Sequence, residues 1–224
     1  MLESLSKNDT NDWEIFISIE PSEVREKTMD MAEDILPYIN FVLPERQMGV
    51  SGNPYSILEY VFEKRKSTQN IYLEDDLLLS PDVCNLADWY FSNESQDKDN
   101  ACLCLCNVNP SEFPVEHCQN SALMSLGGGV GFSALGLFLS KDSWLDNFKP
   151  HWGGSWDHGV KAHIVRSRKQ VILPYVSRSD HIGDWGAHVH GPASNAGLGF
   201  GNLPLCQQIP DPKSYHIALS RRRA

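Results

Sequence analysis

Two periodicities of apolar and polar residues alternate along the chain. "EIFISI" (Glu14–Ile19) is a short apolar run that predicts a buried strand, closed by a turn at Glu20-Pro21. Ser22 then stands as the N-cap of a helix whose apolar face carries Val24, Met31 and Ile35. "YINFVLPE" predicts a second short strand. Asn53-Pro54 opens another helix, with Pro54 at its first position and Ile57, Leu58, Val61 and Phe62 facing inward. "NIYLEDD" carries a third strand, and Ser80-Pro81 caps a helix that buries Val83, Leu86, Trp89 and Tyr90. The polar stretch Ser92–Asn100 reads as a surface loop before the strand "ACLCLCN". Val108–Asn120 is irregular, and "SLGGGVGFSALGLFLS" joins a glycine-rich turn to an apolar strand. A helix begins at Ser140, a second short helix spans Trp156–Val165, and "QVILP" is a last strand. Beyond Ser177 the chain is rich in Gly, His, Asp and Ser, as in long active-site loops or a loosely held C-terminal segment.

Strands alternating with amphipathic helices spell an α/β sandwich around a largely parallel sheet. In such sheets ligands bind off the carboxyl ends of the strands. Glu20 and the consecutive acids Glu74, Asp75 and Asp76 fall at predicted carboxyl ends. Like charges packed at a strand end are costly unless something positive or protic sits beside them. The apolar "LLLSPD" that follows pins these acids at the sheet edge. Hard carboxylate oxygens so placed can hold a divalent cation, and a cation with open positions suits a diphosphate. "EDD" alone is also what a solvated loop after a strand looks like.

Length and composition narrow the classes. With 224 residues, the chain fits one domain, or one domain with a tail. A formal net charge of −10 argues against a nucleic-acid surface, and the basic run Arg221-Arg222-Arg223 reads as a solvated tail. Cys102, Cys104 and Cys106 alternate along one strand, so they share a face; buried free thiols in a reducing compartment fit better than disulfides or zinc. No stretch approaches the ~20 apolar residues of a membrane span, and "MLESLSKNDT" is no signal peptide, which points to a cytoplasmic protein.

Two further groupings carry candidate chemistry. Asp157, in "HWGGSWDHGVKAH", starts a predicted helix, where a carboxylate is stabilised and aimed outward. It reads either as a capping residue or as a general base for an acceptor hydroxyl. Six of the eight histidines, His151, His158, His163, His181, His188 and His190, fall within forty residues, which suggests metal or phosphate contact by one or two of them. A His-rich metallohydrolase is therefore a competing reading, and a nucleotide-sugar-binding protein without transferase activity is another.

The ordered set "IYLEDDLLLSPDV", "CLCLCNVN", "GFSALGLFLSKDSWLDNFKPHW", "SWDHGV" and "ILPYVSRSDHIG" resembles the inverting N-acetylglucosaminyltransferase I family and its protein O-mannose-linked relative. The likeness runs from Gly49 to Gly191. It implies a GT-A fold, an α/β/α nucleotide-sugar-binding sandwich over residues 1–200 with 201–224 as a C-terminal tail. It further implies a UDP-sugar donor, a glycan or other hydroxyl acceptor, and Mn²⁺ (or Mg²⁺) as cofactor. Carried over by position, Asp76 is the metal ligand, and Glu74 and Asp75 contact the ribose and organise the metal shell. Glu20 lies beside the uracil, Leu135-Gly136 line the donor sugar, Ser177-Arg178 lie near the diphosphate, and Asp157 is the base. The chain departs from the family where "WDDW" becomes Trp156-Asp157-His158-Gly159 and "FpGLGW" becomes "FSALGLF". The family's first strand, with its nucleotide-binding arginine, has no counterpart in the pattern.

Overall fold

The computed structural model describes residues 1–107, 120–183 and 204–221. In chain order the first part supplies α1 (Leu2–Leu5), β1 (Ile15–Ser18), α2 (Arg25–Ile35), β2 (Ile39–Val42) and α3 (Gly49–Glu59), which continues as a wider turn over Tyr60–Lys64. Next come β3 (Gln69–Tyr72), β4 (Leu77–Leu79), α4 (Val83–Asn93), β5 (Asn100–Cys104), β6 (Ala122–Gly127) and β7 (Leu137–Ser140). The last part holds α5 (Lys141–Ser143), α6 (Trp156–Ser167), β8 (Gln170–Pro174), β9 (Ser179–His181) and β10 (His216–Arg221).

A six-stranded sheet in the order β10–β6–β8–β5–β7–β3 forms the centre. Its β10–β6 and β8–β5 pairs are parallel, whereas β6–β8, β5–β7 and β7–β3 are antiparallel. The sheet is mixed, which corrects the expectation of a largely parallel one. Apolar runs report that a strand is buried on both faces, but they look the same whichever way the neighbour runs. Alternation along the strands divides the core into two layers. Cys102, Cys104, Met124, Leu137, Leu139, Val171 and Leu173 pack with Leu58, Phe62, Trp144, Val160 and Ile164 on one face. On the other, Leu103, Leu123, Phe138 and Ile172 pack with Val83, Leu86 and Tyr90 of α4. The sandwich of helices around a sheet is therefore present. The thiols of Cys102 and Cys104 share a face as expected, their sulfurs 3.8 Å apart.

Several local expectations are corrected. α2 starts at Arg25 without a side-chain cap, and Val24 and Met31 are 58% and 55% exposed. Its inward stripe is instead Ala32, Ile35 and Leu36, at the i, i+3, i+4 spacing of one helix face. α3 begins at Gly49 rather than at Pro54, which lies inside it. Glu20 causes the earlier start, because its Oε1 accepts from the backbone N–H of Met48 (2.7 Å) and Gly49 (2.8 Å). α4 is preceded by Asp82, whose carboxylate turns away from the helix start and into the core. The segment expected to be a tail contributes β10 at the sheet edge, and the buried Tyr215 ahead of it donates to Asp82 Oδ2 at 2.8 Å. No described helix is long and apolar enough to cross a membrane.

Candidate active site

β3 ends at Tyr72, and the chain leaves the core through Leu73 into Glu74, Asp75 and Asp76 before β4. β4 pairs antiparallel with β9, and that register sets Leu77 opposite His181. The result places His181 beside Asp76: its Nε2 lies 2.8 Å from Asp76 Oδ2, and its side chain is only 9% exposed. The same turn is closed by Ile182 N–H donating to the Asp76 carbonyl at 2.9 Å. Gly183 follows, and a Cβ there would meet Asp76 Oδ2 at 2.6 Å, so only glycine leaves the carboxylate where it is. Asp76 Oδ1 is buried and has no partner among the described residues.

Glu74 is the strained acid of the three. Burial, then the charge on Asp76, push its carboxyl up to about 7. Tyr72 donates its hydroxyl to Glu74 Oε1 at 3.3 Å, and burial, then Glu74, hold that phenol well above its ordinary range. Asp75 is exposed.

Asp157 occupies the first turn of α6, with its side chain 45% exposed and Oδ1 3.2 Å from Nδ1 of the exposed His158. Aromatic packing fixes the start of that helix. Trp156 stacks on Trp152 at 4.3 Å and meets Tyr72 edge-on at 6.0 Å, which ties α6 to the end of β3. Trp152 Nε1 donates to the Ser51 carbonyl (2.9 Å), while Ser51 Oγ donates to the Gly154 carbonyl (2.6 Å). The loop ahead of Asp157 is thus bound to α3, the helix that Glu20 caps.

Glu20, Glu74, Asp75, Asp76, Leu135, Asp157 and His181 line a single cavity of about 1710 Å³. Gly136 does not; it holds φ +89° and backs onto Leu105, whose Cδ1 an added Cβ would meet at 2.7 Å. Ser177 and Arg178, expected near a diphosphate, lie in the core instead. Ser177 Oγ bonds the backbone of Asn107. Arg178 is 1% exposed; its Nε donates to Asp82 Oδ2 at 2.8 Å and its other nitrogens donate to the Val176 and Asn120 carbonyls. A guanidinium with these bonds joins β9 to the start of α4 and presents nothing to the cleft.

Histidines divide similarly. His151 and His163 stack ring on ring at 3.6 Å, and burial, then His151, lower the pKa of His163. Among the described residues, no group of three or more His, Cys, Asp or Glu side chains is arranged to hold a metal. His188 and His190 lie outside the described residues. His181, named among the six clustered histidines, is the one set beside Asp76, and only the β4–β9 pairing joins these two sequence-distant residues.

Comparison with known proteins bears on this arrangement. The GNT-I family profile matches residues 54–193, well over half of the chain and including Glu74–Asp76, Asp157 and His181. The chain belongs to the GNT-I family, a family of glycosyltransferases, and is an N-acetylglucosaminyltransferase-like enzyme. No curated protein matches it.

Proposed function

We propose that the chain is a metal-dependent inverting glycosyltransferase of GT-A type, moving a hexose or N-acetylhexosamine from a UDP-sugar to a hydroxyl of a glycan acceptor. The observation that carries this reading is that the acids ending β3 and the acid starting α6 open into one cavity. One end supplies a charged, partly desolvated cradle; the other supplies a half-exposed carboxylate at a helix start.

The donor set fits a hard divalent cation, Mn²⁺ or Mg²⁺. Asp76 would hold it through Oδ1, the buried oxygen that has no partner among the described residues, while His181 keeps Oδ2 occupied and fixes the plane of the carboxylate. When bound, such a cation supplies charge neutralisation for the departing diphosphate. Glu74 and Asp75 would face the nucleotide and the metal's surroundings, and Glu20 and Leu135 would line the donor side. Ser177 and Arg178 support this site from the core rather than contact the donor.

Asp157 is the base. Its carboxylate takes the proton of the acceptor hydroxyl as that oxygen bonds to the anomeric carbon. The bond from that carbon to the phosphate oxygen breaks on the opposite face, and UDP leaves with the electron pair. Inversion follows from this single displacement. The Trp152–Trp156–Tyr72 contacts hold the base at a fixed place relative to β3, so positioning contributes beside proton transfer. Asp157→Asn is expected to keep UDP-sugar binding within about twofold and to lower turnover by about 10²–10⁴. Turnover at the level of the unmodified chain would remove Asp157 from this role.

A further inference from the structure

The basic side chains among the described residues that line the cavity are Arg65, His158, Lys161 and His181. Three of them already face a carboxylate. Arg65 is 2.7 Å from Glu14, His158 is 3.2 Å from Asp157, and His181 is 2.8 Å from Asp76. Lys161 forms no such pair among the described residues, although the cavity is otherwise rich in acids.

Its position is specific. Lys161 follows Asp157 by four residues in α6, so the two share one face of the helix, with Cβ atoms about 6 Å apart. The glycine-rich turn after β6 lies against the same helix. Gly129 holds φ +69°, and a Cβ there would meet Val165 Cγ2 at 2.8 Å, with the Lys161 carbonyl at 3.6 Å and its Cγ at 3.8 Å. The turn thus borders the stem of Lys161 and leaves the ammonium to the cavity, one helical turn beyond the carboxylate proposed as base.

We propose that the acceptor is an acidic sugar, with a carboxylate or phosphate near the hydroxyl that is glycosylated, and that Lys161 selects it. This rests on the transferase reading above and names the acceptor class within it. While Lys161 is exposed, its ammonium is satisfied by water. An acceptor that seats its hydroxyl on Asp157 covers Lys161 and removes that water. A neutral sugar hydroxyl offsets little of this desolvation, whereas an anionic group offsets it through charge-assisted hydrogen bonds. The ammonium also keeps the acceptor's charge from repelling the base beside it. The donor diphosphate has its counter-charge elsewhere, at the cation that Asp76 would hold.

The test titrates three probes, methyl glucoside, methyl glucuronoside and methyl glucoside 6-phosphate, into the full chain, with and without UDP and Mn²⁺. Backbone amide shifts of residues 155–161 report binding at α6. Both anionic probes, or one of them, are expected to bind about tenfold more tightly than the neutral one. Which of the two does so identifies the acid as carboxylate, phosphate or either. Lys161→Gln should remove the preference, Lys161→Arg should keep it, and UDP affinity should be the same in all three chains. Equal binding of the probes, no shifts at α6, or a preference that survives in Lys161→Gln would overturn the proposal. A clear fall in UDP affinity in Lys161→Gln would assign the lysine to the donor phosphates and overturn it too. The titrations without nucleotide separate the two readings: loss of UDP binding speaks against the transferase, and loss of anion preference against the acidic acceptor.

Discussion

At the residue scale, the guanidinium of Arg178 lies 2.8 Å from the fully buried carboxylate of Asp82. Glu74, Asp75 and Asp76 stand out because consecutive acids after an apolar strand break the local pattern, whereas Asp157 at a helix start is a common placement that local pattern leaves open between cap and base. His181 and Arg178 are adjacent in the chain to within three residues, yet one reaches the cleft and the other the core, and only pairing across β4 and β9 decides which. Arg178→Met is expected to cost about 3–5 kcal/mol, because it leaves the fully buried Asp82 carboxylate without its cation. Urea unfolding checks this, and a loss below 1 kcal/mol would deny the pair its structural role.

Glu74 gives a pH dependence of definite sign. Its pKa is raised, so in the folded chain it takes up a proton as pH falls through about 7, while the unfolded chain stays ionised until near 4.5. Its contribution to stability is therefore largest below 4.5 and is lost as pH rises through 7. In metal-free buffer, Glu74→Gln should be more stable than the unmodified chain at pH 8, and the gap should narrow by on the order of 2 kcal/mol at pH 5.5. A gap that stays constant would mean the carboxyl is not strained.

At the scale of elements, short apolar runs mark most strands and a period near four marks most helices, and the helix starts that differ from expectation have remote causes. The beginning of α3 could not be read from Asn53-Pro54, because the carboxylate that satisfies its first amides comes from Glu20, after β1. Glu20→Ala should destabilise the chain by about 1 kcal/mol and speed exchange of the Met48 and Gly49 amides. Unchanged exchange would show that the cap is dispensable. α2 misled for a different reason. Val24 precedes the helix and Met31 lies one residue, about 100°, from the Ala32 face, so apolar type alone did not define the stripe.

At the scale of the molecule, the layered α/β class was readable and the strand directions were not. Continuous burial, as in β5 and β8, erases the alternation that would reveal a face, and direction depends on which strands become neighbours. The thiols report how closed this core is. Burial pushes Cys84 and Cys106 up to about 12 and holds Cys102 well above its ordinary range. Native protein at pH 8 should resist iodoacetamide at Cys84, Cys102 and Cys106 and react once unfolded; rapid native labelling would mean the layers open.

The central claim joins the acids of β3 to a nucleotide diphosphate through a cation. Calorimetric titration of UDP, with and without Mn²⁺, into the unmodified chain and Asp76→Ala tests it most directly. Binding that requires Mn²⁺ and is lost in Asp76→Ala is the predicted result. UDP binding that is indifferent to both the metal and the substitution, or no UDP binding at all, would contradict it.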